Sequence, residues 1–127
     1  AVFADIRKPE DDEAMLLAAV SEQDDKKKHE GFSLVHVSRF LHRPMYERVR
    51  DSLVRPGGCV VWHTFVEGCE AFGRPKRKKH ILRKGELSHF FGEAGWNILM
   101  DEVRCLEDGR PVSYFVARKP AEDLKKT

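Results

Sequence analysis

The sequence has no apolar run as long as the roughly 18 residues that a membrane-spanning helix needs. Its three cysteines are an odd number without a C-x-x-C pair, which argues against a disulfide framework and against a zinc ribbon. None of its nine glycines forms a G-x-G pattern, so the glycine-rich loop that usually accompanies an α/β ligand site is missing. These absences predict a chain with no membrane partner and no metal, in a reducing intracellular compartment that is cytoplasmic by default.

Acidic residues are missing from one segment of the chain. Residues 73–84 carry seven Lys or Arg and no Asp or Glu, although the formal net charge of the whole chain is only +2. The simplest interpretation is a solvated loop, but the cations are also dense enough for weak contact with RNA. No aromatic residue inside the run would stack on bases, and only Phe72 flanks it. The residues that would make this contact are Arg74, Lys76, Arg77, Lys78 and Lys79.

The chain does contain an alternation of strand and helix patterns over its 127 residues. A short apolar run at 32–38 predicts a strand buried on both faces of a parallel sheet, and Asp108-Gly109 between two β-rich runs predicts a hairpin. Pro56-Gly57-Gly58 is predicted to end a helix and open the next buried strand. The predicted elements are strands at 1–4, 32–38 and 59–64, helices near 9–20, 45–54 and 84–96, and the hairpin at 96–119.

This order predicts an α/β fold with a mostly parallel, three-layer, Rossmann-like sheet that ends in an antiparallel hairpin. Segments along its length carry a family likeness: FADIR (3–7), FSLVHVSRFLHRP (32–44), LVRPGGCVVWHTF (53–65), ILRKGELSHFF (81–91), GWNILMDE (95–102) and RPVSYFVARKP (110–120). Together they resemble the C-terminal half of class I S-adenosylmethionine-dependent methyltransferases, in particular the small-molecule methyltransferases of the tellurite-resistance type. The resemblance predicts that residues 1–120 form the C-terminal part of a methyltransferase domain, followed by a polar tail at 121–127.

The resemblance implies S-adenosyl-L-methionine as cofactor and methyl transfer to a small-molecule acceptor as the reaction. In that family an acidic residue after the third strand binds the adenine amino group, a role that falls to Asp5, with Ile6 packing on the ring. Ser38, Arg39 and Phe40, after the fourth strand, would lie beside the methionine part of the cofactor. These positions agree with the rule that ligands of open α/β sheets bind at the carboxyl ends of the strands.

The acceptor is then expected above the ends of the fourth and fifth strands. A histidine there would deprotonate or orient the acceptor, while positioning supplies much of the catalysis of an in-line methyl displacement. The resemblance implies candidate catalytic residues His42 and His63, and candidate substrate-binding residues Arg43, Thr64, Phe65 and Glu67.

Simpler roles stay open for several of these side chains. The two candidate catalytic histidines have structural alternatives, and Arg43 would cap local structure or pair with Glu47. A zinc site made by Cys69 and the same two histidines is not supported by the spacing. His36, in the middle of a strand, is predicted to be a core histidine with a local hydrogen bond.

The family's first two strands, with the glycine-rich cofactor loop and the ribose-binding acid, have no counterpart in this sequence. We therefore expect the chain to supply only the acceptor-side half of a site and to be inactive alone. The other half would come from a missing N-terminal half or from a complementing chain. The alternative belongs to another class: an inactive methyltransferase-like scaffold or assembly factor that contacts RNA through the basic run 74–84.

Overall fold

The computed structural model describes residues 31–121. They form a four-stranded sheet of β1 (Phe32–Ser38), β2 (Val54–Phe65), β3 (Asn97–Cys105) and β4 (Pro111–Arg118). Its helices are α1 (Met45–Arg48), which continues as a π-helical turn at Val49–Leu53, and α2 (Glu86–Glu93). Short 3-10 turns at Cys69–Ala71 and Lys78–His80 lie in the long connection from β2 to α2. The predicted N-terminal strand and first helix, the cofactor candidates Asp5 and Ile6, and the tail from 122 onward lie outside the described residues.

The spatial order of the strands is β1-β2-β4-β3. β1 and β2 are parallel, and β4 runs antiparallel to both of its neighbours, β2 and β3. The methyltransferases that the sequence resembles have the order 4-5-7-6, with an antiparallel seventh strand, in the corresponding part of their sheet, and the order here is the same. The antiparallel hairpin is therefore confirmed, whereas the expected mostly parallel sheet is a mixed sheet among residues 31–121, because only the β1–β2 pair is parallel. Two packed layers are seen among residues 31–121, because both helices lie on the same face, and the predicted third layer is not among them.

The end of α2 is set by a glycine. Gly95 has a left-handed φ of +88°, and its N–H donates to the carbonyl of Gly92 at 3.0 Å. The N–H of Trp96 donates to the carbonyl of Phe91, also at 3.0 Å. These two bonds are the Schellman arrangement that satisfies the last carbonyls of a helix. The turn carries Trp96 back into the core, where its ring centroid lies 4.7 Å from that of Phe91.

Pro56-Gly57-Gly58 lies inside β2, which corrects the prediction that it ends the preceding helix. Phe32 of β1 already pairs with Val54, and the next recorded pair is Leu34 with Cys59. β2 therefore carries three more residues than β1 over this interval and bulges. A Cβ atom at Gly58 would come within 2.9 Å of a β1 carbonyl oxygen, so only glycine permits this close approach. The bulge, rather than the helix end, explains the motif.

One face of the sheet, here called the helix face, is sealed by both helices. Its buried side chains are Val37, Val60, Trp62, Phe115 and Ala117. The apolar side chains of α1 and α2 join them in a single cluster. Trp62 is fully buried, and its indole N–H donates to the carbonyl of Phe40 at 3.0 Å. The core therefore buries this large ring without leaving its polar group unpaired.

The opposite face, here called the histidine face, carries the alternate side chains of the same strands. They include His36, Val61, His63, Tyr114 and Val116. All of these are half-buried or exposed, and Leu34 is 58% exposed. The prediction that β1 is buried on both faces is thus wrong for the described residues. Burial of a second face depends on what packs over it, which the composition of β1 alone does not determine.

Candidate functional site

The turn after β1 lies at the edge where the parallel strands β1 and β2 end. Arg39 has a left-handed φ of +55°, which is uncommon for a non-glycine residue and costs on the order of 1 kcal/mol. Its N–H donates to the carbonyl of His63 at 2.7 Å, and the carbonyl of the next residue, Phe40, accepts the indole N–H of Trp62. These two bonds fix the unfavourable conformation against β2, at the edge where α/β sheets bind ligands.

A cleft of about 810 Å³ opens at this edge. The strand ends contribute Phe40, Leu41, Thr64 and Phe65 to its wall. The remaining wall is cationic and contains Arg39, Arg74, Lys76, Arg77 and Arg110, with Pro75 and His80. No Asp or Glu belongs to the wall as far as the described residues form it. Charges of one sign in a concave site raise the local concentration of counter-ions, so this site, here called the cationic cleft, favours an anion.

Phe65 holds two of these cations side by side. The Cζ atoms of Arg39 and Arg110 lie 5.2 Å and 4.8 Å from the centroid of its buried ring, within the range of a cation–π contact. Arg110 also donates from Nε to the Asp108 carboxylate at 2.9 Å and from Nη1 to the carbonyl of Arg74 at 2.6 Å. Arg110 therefore ties the basic loop to the β3–β4 hairpin.

Arg43 holds the same loop from its other side. Its Nε and Nη2 atoms donate to the Glu86 carboxylate at 2.6 Å and 2.9 Å, and Nη2 also donates to the carbonyl of Ile81 at 2.8 Å. The hydroxyl of Tyr46 donates to the same carboxylate at 2.7 Å. The partner of Arg43 is therefore Glu86 rather than the expected Glu47. These bonds give Arg43 a positioning role, and its contact with a substrate stays a prediction.

This network shifts the pKa values of Glu86 and Tyr46. Burial acts to raise the pKa of Glu86, but the hydrogen bonds from Arg43, from the Arg83 N–H and from Tyr46 outweigh it, so the pKa lies below its usual value. Burial and the neighbouring Glu86 raise the pKa of Tyr46. Glu86 is therefore a carboxylate and Tyr46 a neutral donor at neutral pH.

His63 packs against His36 on the histidine face. Their Nε2 atoms are 3.0 Å apart, and the His63 ring stacks on Tyr114 with centroids 5.4 Å apart and an interplanar angle of 19°. Burial lowers the pKa of His63, and His36 and Arg39 lower it further. Nδ1 of His63 is buried and has no hydrogen-bond partner among residues 31–121. His63 is therefore a neutral imidazole with one uncommitted nitrogen. The prediction of His36 as a core histidine is corrected, since its side chain is exposed.

The structure brings together seven residues predicted for different roles. Cofactor, acceptor and nucleic-acid candidates all line the cationic cleft: Arg39, Phe40, Thr64, Phe65, Arg74, Lys76 and Arg77. Lys78 and Lys79 instead line a neighbouring cavity of about 340 Å³, together with Arg43 and Glu67. The ends of β1 and β2 and the basic run, for which the sequence predicted alternative functions, thus line one cleft.

The other predicted residues lie around the cleft. Ser38 is exposed and pairs with His63 in the sheet register. His42 lies in the connection to α1, with its ring centroid 6.4 Å from that of Phe40. Glu67 is exposed and accepts the N–H of Lys84 at 2.7 Å. The ring partners of His63 are His36 and Tyr114, so the two candidate catalytic histidines are not placed as a pair.

Two residues of the site were missed from the sequence. Arg110 directly precedes β4, and an antiparallel strand begins at the edge where its parallel neighbour ends, so the predicted topology could have placed it beside Phe65. His36 is two residues before Ser38, the register partner of His63, and residues two apart share a face. That spacing was the available signal for the histidine pair.

Within the described range, no three His, Cys, Asp or Glu side chains are grouped so that they could hold a metal ion. Cys69, which the zinc alternative required, is buried, and its thiol donates to the carbonyl of Pro75 at 3.6 Å. Burial raises the pKa of this thiol. Neither helix in the same range is long and apolar enough to cross a membrane.

No protein-family model matches the chain. The uncharacterized protein UNK4.09 of Schizosaccharomyces pombe is 36% identical over 91 residues, which are 69% of this chain and 26% of that protein. The chain thus spans about a quarter of the length of this relative.

Two solved structures are similar to this chain. The crystal structure of the 4+2 cyclase SpnF matches with a TM-score of 0.56 and 13% identity, over 85% of this chain and 62% of that chain. A possible exported protein from Bordetella parapertussis matches with a TM-score of 0.47 and 16% identity, over 90% of this chain and 51% of that chain. SpnF is a cyclase with a methyltransferase-like fold. The likeness concerns the fold alone, and by it the chain has a methyltransferase-like fold.

Proposed function

We propose that this chain supplies the acceptor side of an S-adenosylmethionine-dependent methyl transfer, with the acceptor bound in the cationic cleft. The observation that carries the proposal is the turn at Arg39, because an unfavourable backbone conformation is held there at the ligand-binding edge of a methyltransferase-like sheet. The cleft volume of about 810 Å³ also supports it, since a cleft of this size can take a reacting group together with the methionine end of the cofactor.

The residues after β1 fit the methionine end of the cofactor. Ser38 is exposed at the strand end, where its hydroxyl can donate and accept hydrogen bonds, and half-buried Phe40 offers an apolar wall. The charge of Arg39 lies over Phe65 in the cleft, on the acceptor side. Asp5 and Ile6 would serve the adenine end. When bound, the cofactor supplies an electrophilic methyl group.

The chain's own residues would then position the acceptor and take its proton. Thr64 and Phe65 shape the cleft, while Arg43 and Glu67 hold the loop that closes it. His63, next to Thr64 in β2, is a neutral imidazole and so of the type that acts as a general base, but its Nδ1 is buried and its ring lies outside the cleft wall, so taking the proton would require the acceptor to reach the histidine face. His42 is the second candidate for this role.

Calorimetry of the natural-length protein with S-adenosylhomocysteine tests the cofactor role. We expect binding, and we expect Ser38→Ala to weaken it about fivefold, as for one lost hydrogen bond. Ser33→Ala is the matched control, because Ser33 is an exposed serine at the far end of the same strand. No binding by the natural-length protein would overturn the methyl-transfer proposal.

A scaffold that contacts RNA without methyl transfer is the second candidate. The cations that line the cleft favour it, because they attract phosphate whether or not a cofactor binds. A shared fold does not decide between the two, since one fold hosts many unrelated activities. Binding of RNA without binding of S-adenosylhomocysteine would support the scaffold.

A further inference from the structure

We infer that the cationic cleft binds the phosphate backbone of a single-stranded nucleic acid and that this strand is the methyl acceptor. The inference names the acceptor of the proposed reaction and therefore rests on the proposed function. Binding of the strand is measured without cofactor, so the failure of one proposal is distinguishable from the failure of the other.

The number of cations is the first argument. Five Lys or Arg side chains line one cleft, and within residues 31–121 no carboxylate pairs with Arg39, Arg74 or Arg77. Like charges held close together repel one another unless an anion lies between them. Two guanidinium groups already suffice for one phosphate, because each can bind it with two donors. Five cations therefore suit a ligand with successive phosphates.

The second argument is that the backbone of the basic run 74–84 is held in place by hydrogen bonds. Its backbone is tied at the Arg74 carbonyl by Arg110, at the Ile81 carbonyl by Arg43, and at the Lys84 N–H by Glu67. A loop that only exposes its charged side chains to solvent does not need such hydrogen bonds. Because the cations stand on a fixed backbone, less conformational entropy is lost when an anion binds.

An exposed aromatic ring beside the cleft favours a single strand over a duplex. Phe72 is 59% exposed and packs on Gly109, and the neighbouring Gly73 lies against Arg110. A cationic groove with an aromatic ring at its border is the arrangement that binds single strands, whose unpaired bases can stack. A duplex keeps its bases stacked inside and would leave this ring unused.

The test is fluorescence anisotropy of the natural-length protein with a labelled single-stranded RNA of about 12 nucleotides, over a series of salt concentrations. Arg39→Gln/Arg77→Gln removes two cleft cations whose side chains are exposed. Arg50→Gln/Arg118→Gln is the matched control, because it removes the same charge at the opposite edge of the sheet, where β2 begins and β4 ends. Circular dichroism checks that all variants fold.

For the cleft variant, we expect the slope of log K against log salt to decrease by about 1.4, since each single-strand phosphate contact contributes about 0.7. At 0.1 M salt this is a loss of about 25-fold in affinity. The control variant should lose less than about threefold in affinity. Phe72→Ala should lose about tenfold in affinity while the slope of log K against log salt stays the same, because this change removes stacking and no charge.

Four results would overturn the inference. One is equal loss of affinity by the cleft variant and the control variant. Another is equal affinity for the strand and for inorganic phosphate or a mononucleotide, which would show a single-phosphate site. The third is tighter binding of a duplex of the same sequence. If strand and S-adenosylhomocysteine both bind but no methyl group is transferred to strands of varied sequence, the assignment of the strand as acceptor is overturned.

Discussion

The helix face and the histidine face belong to the same four strands but differ in chemistry. Val60 and Trp62 on the helix face are fully buried, whereas Val61 and His63, each one residue further along β2, are half-buried on the other face. Cavity formation is costly only where neighbouring atoms cannot collapse into the space. The histidine face is buried only near the end of β2, where Phe65 and Val112 pack with Cys69 and Ile81. We therefore expect most of the stability to come from the helix face, which leaves the rest of the histidine face available for polar groups and contacts.

Replacing the largest buried ring should have the largest effect. We expect Trp62→Ala to lower the free energy of unfolding by about 3–5 kcal/mol, because it leaves a large cavity between the helices and the sheet. His63→Ala, at the next position, should cost less than about 1 kcal/mol. Urea denaturation followed by circular dichroism measures both. A cost of Trp62→Ala below that of His63→Ala would contradict the difference between the faces.

The adjacent residues Val60 and Val61 allow the two faces to be compared with the same substitution. Val60→Ala should cost about 2–3 kcal/mol, as for full burial of a valine side chain, and Val61→Ala should cost about half as much. Denaturation of the two variants under the same conditions checks this. Equal costs would mean that the histidine face is covered in solution by another part of the protein.

The sequence predicted the elements whose signals are local. The hairpin around Asp108-Gly109 and a helix at 84–96 follow from turn chemistry and from spacing, and both are present. The β2 bulge was not predicted, because it depends on how closely Gly58 approaches the backbone of β1. Cys105 lies in a β-rich run but is exposed, because β3 is the edge strand of the sheet.

The candidate site was predictable only in part. The carboxyl ends of β1 and β2 followed from the α/β order, so Arg39, Thr64 and Phe65 were among the candidates. The union of this edge with the basic run was not predicted, because it depends on long-range bonds such as that from Arg110 to the Arg74 carbonyl. Such bonds join residues far apart in sequence and leave no periodic pattern.

Glu86 connects the helix face to the loop at the cleft, and its removal should have a pH-dependent cost. Glu86→Gln should lower the free energy of unfolding by about 1–2 kcal/mol at pH 7, because charge-assisted hydrogen bonds from Arg43 and Tyr46 are weakened. The pKa of Glu86 is lowered in the fold, so the stabilisation is fully present above its ordinary value of 4.5 and is lost as the pH falls through the folded value.

Urea denaturation between pH 7 and pH 3 measures this dependence. The difference in the free energy of unfolding between the native protein and Glu86→Gln should therefore become smaller as the pH falls. Glu93→Gln is the control, because Glu93 is an exposed carboxylate on the same helix whose ion-pair partner is the exposed His89. A difference that stays constant over this pH range would show that the carboxylate charge of Glu86 does not stabilise the fold.

The smallest expected effect concerns the protonation of His63 on the histidine face. NMR titration should place the pKa of His63 below the ordinary value of about 6.5, because burial, His36 and Arg39 all disfavour its charged form. The unfolded chain then binds the proton more readily, so this residue makes stability fall as the pH drops below about 6.5. His36→Asn should raise the pKa of His63 without restoring it fully, since burial remains. His89→Asn, at an exposed position of α2, should leave the pKa of His63 unchanged. A pKa of His63 at or above 6.5 would mean that water reaches this face freely, and a neutral His63 at physiological pH could no longer be assumed for proton transfer.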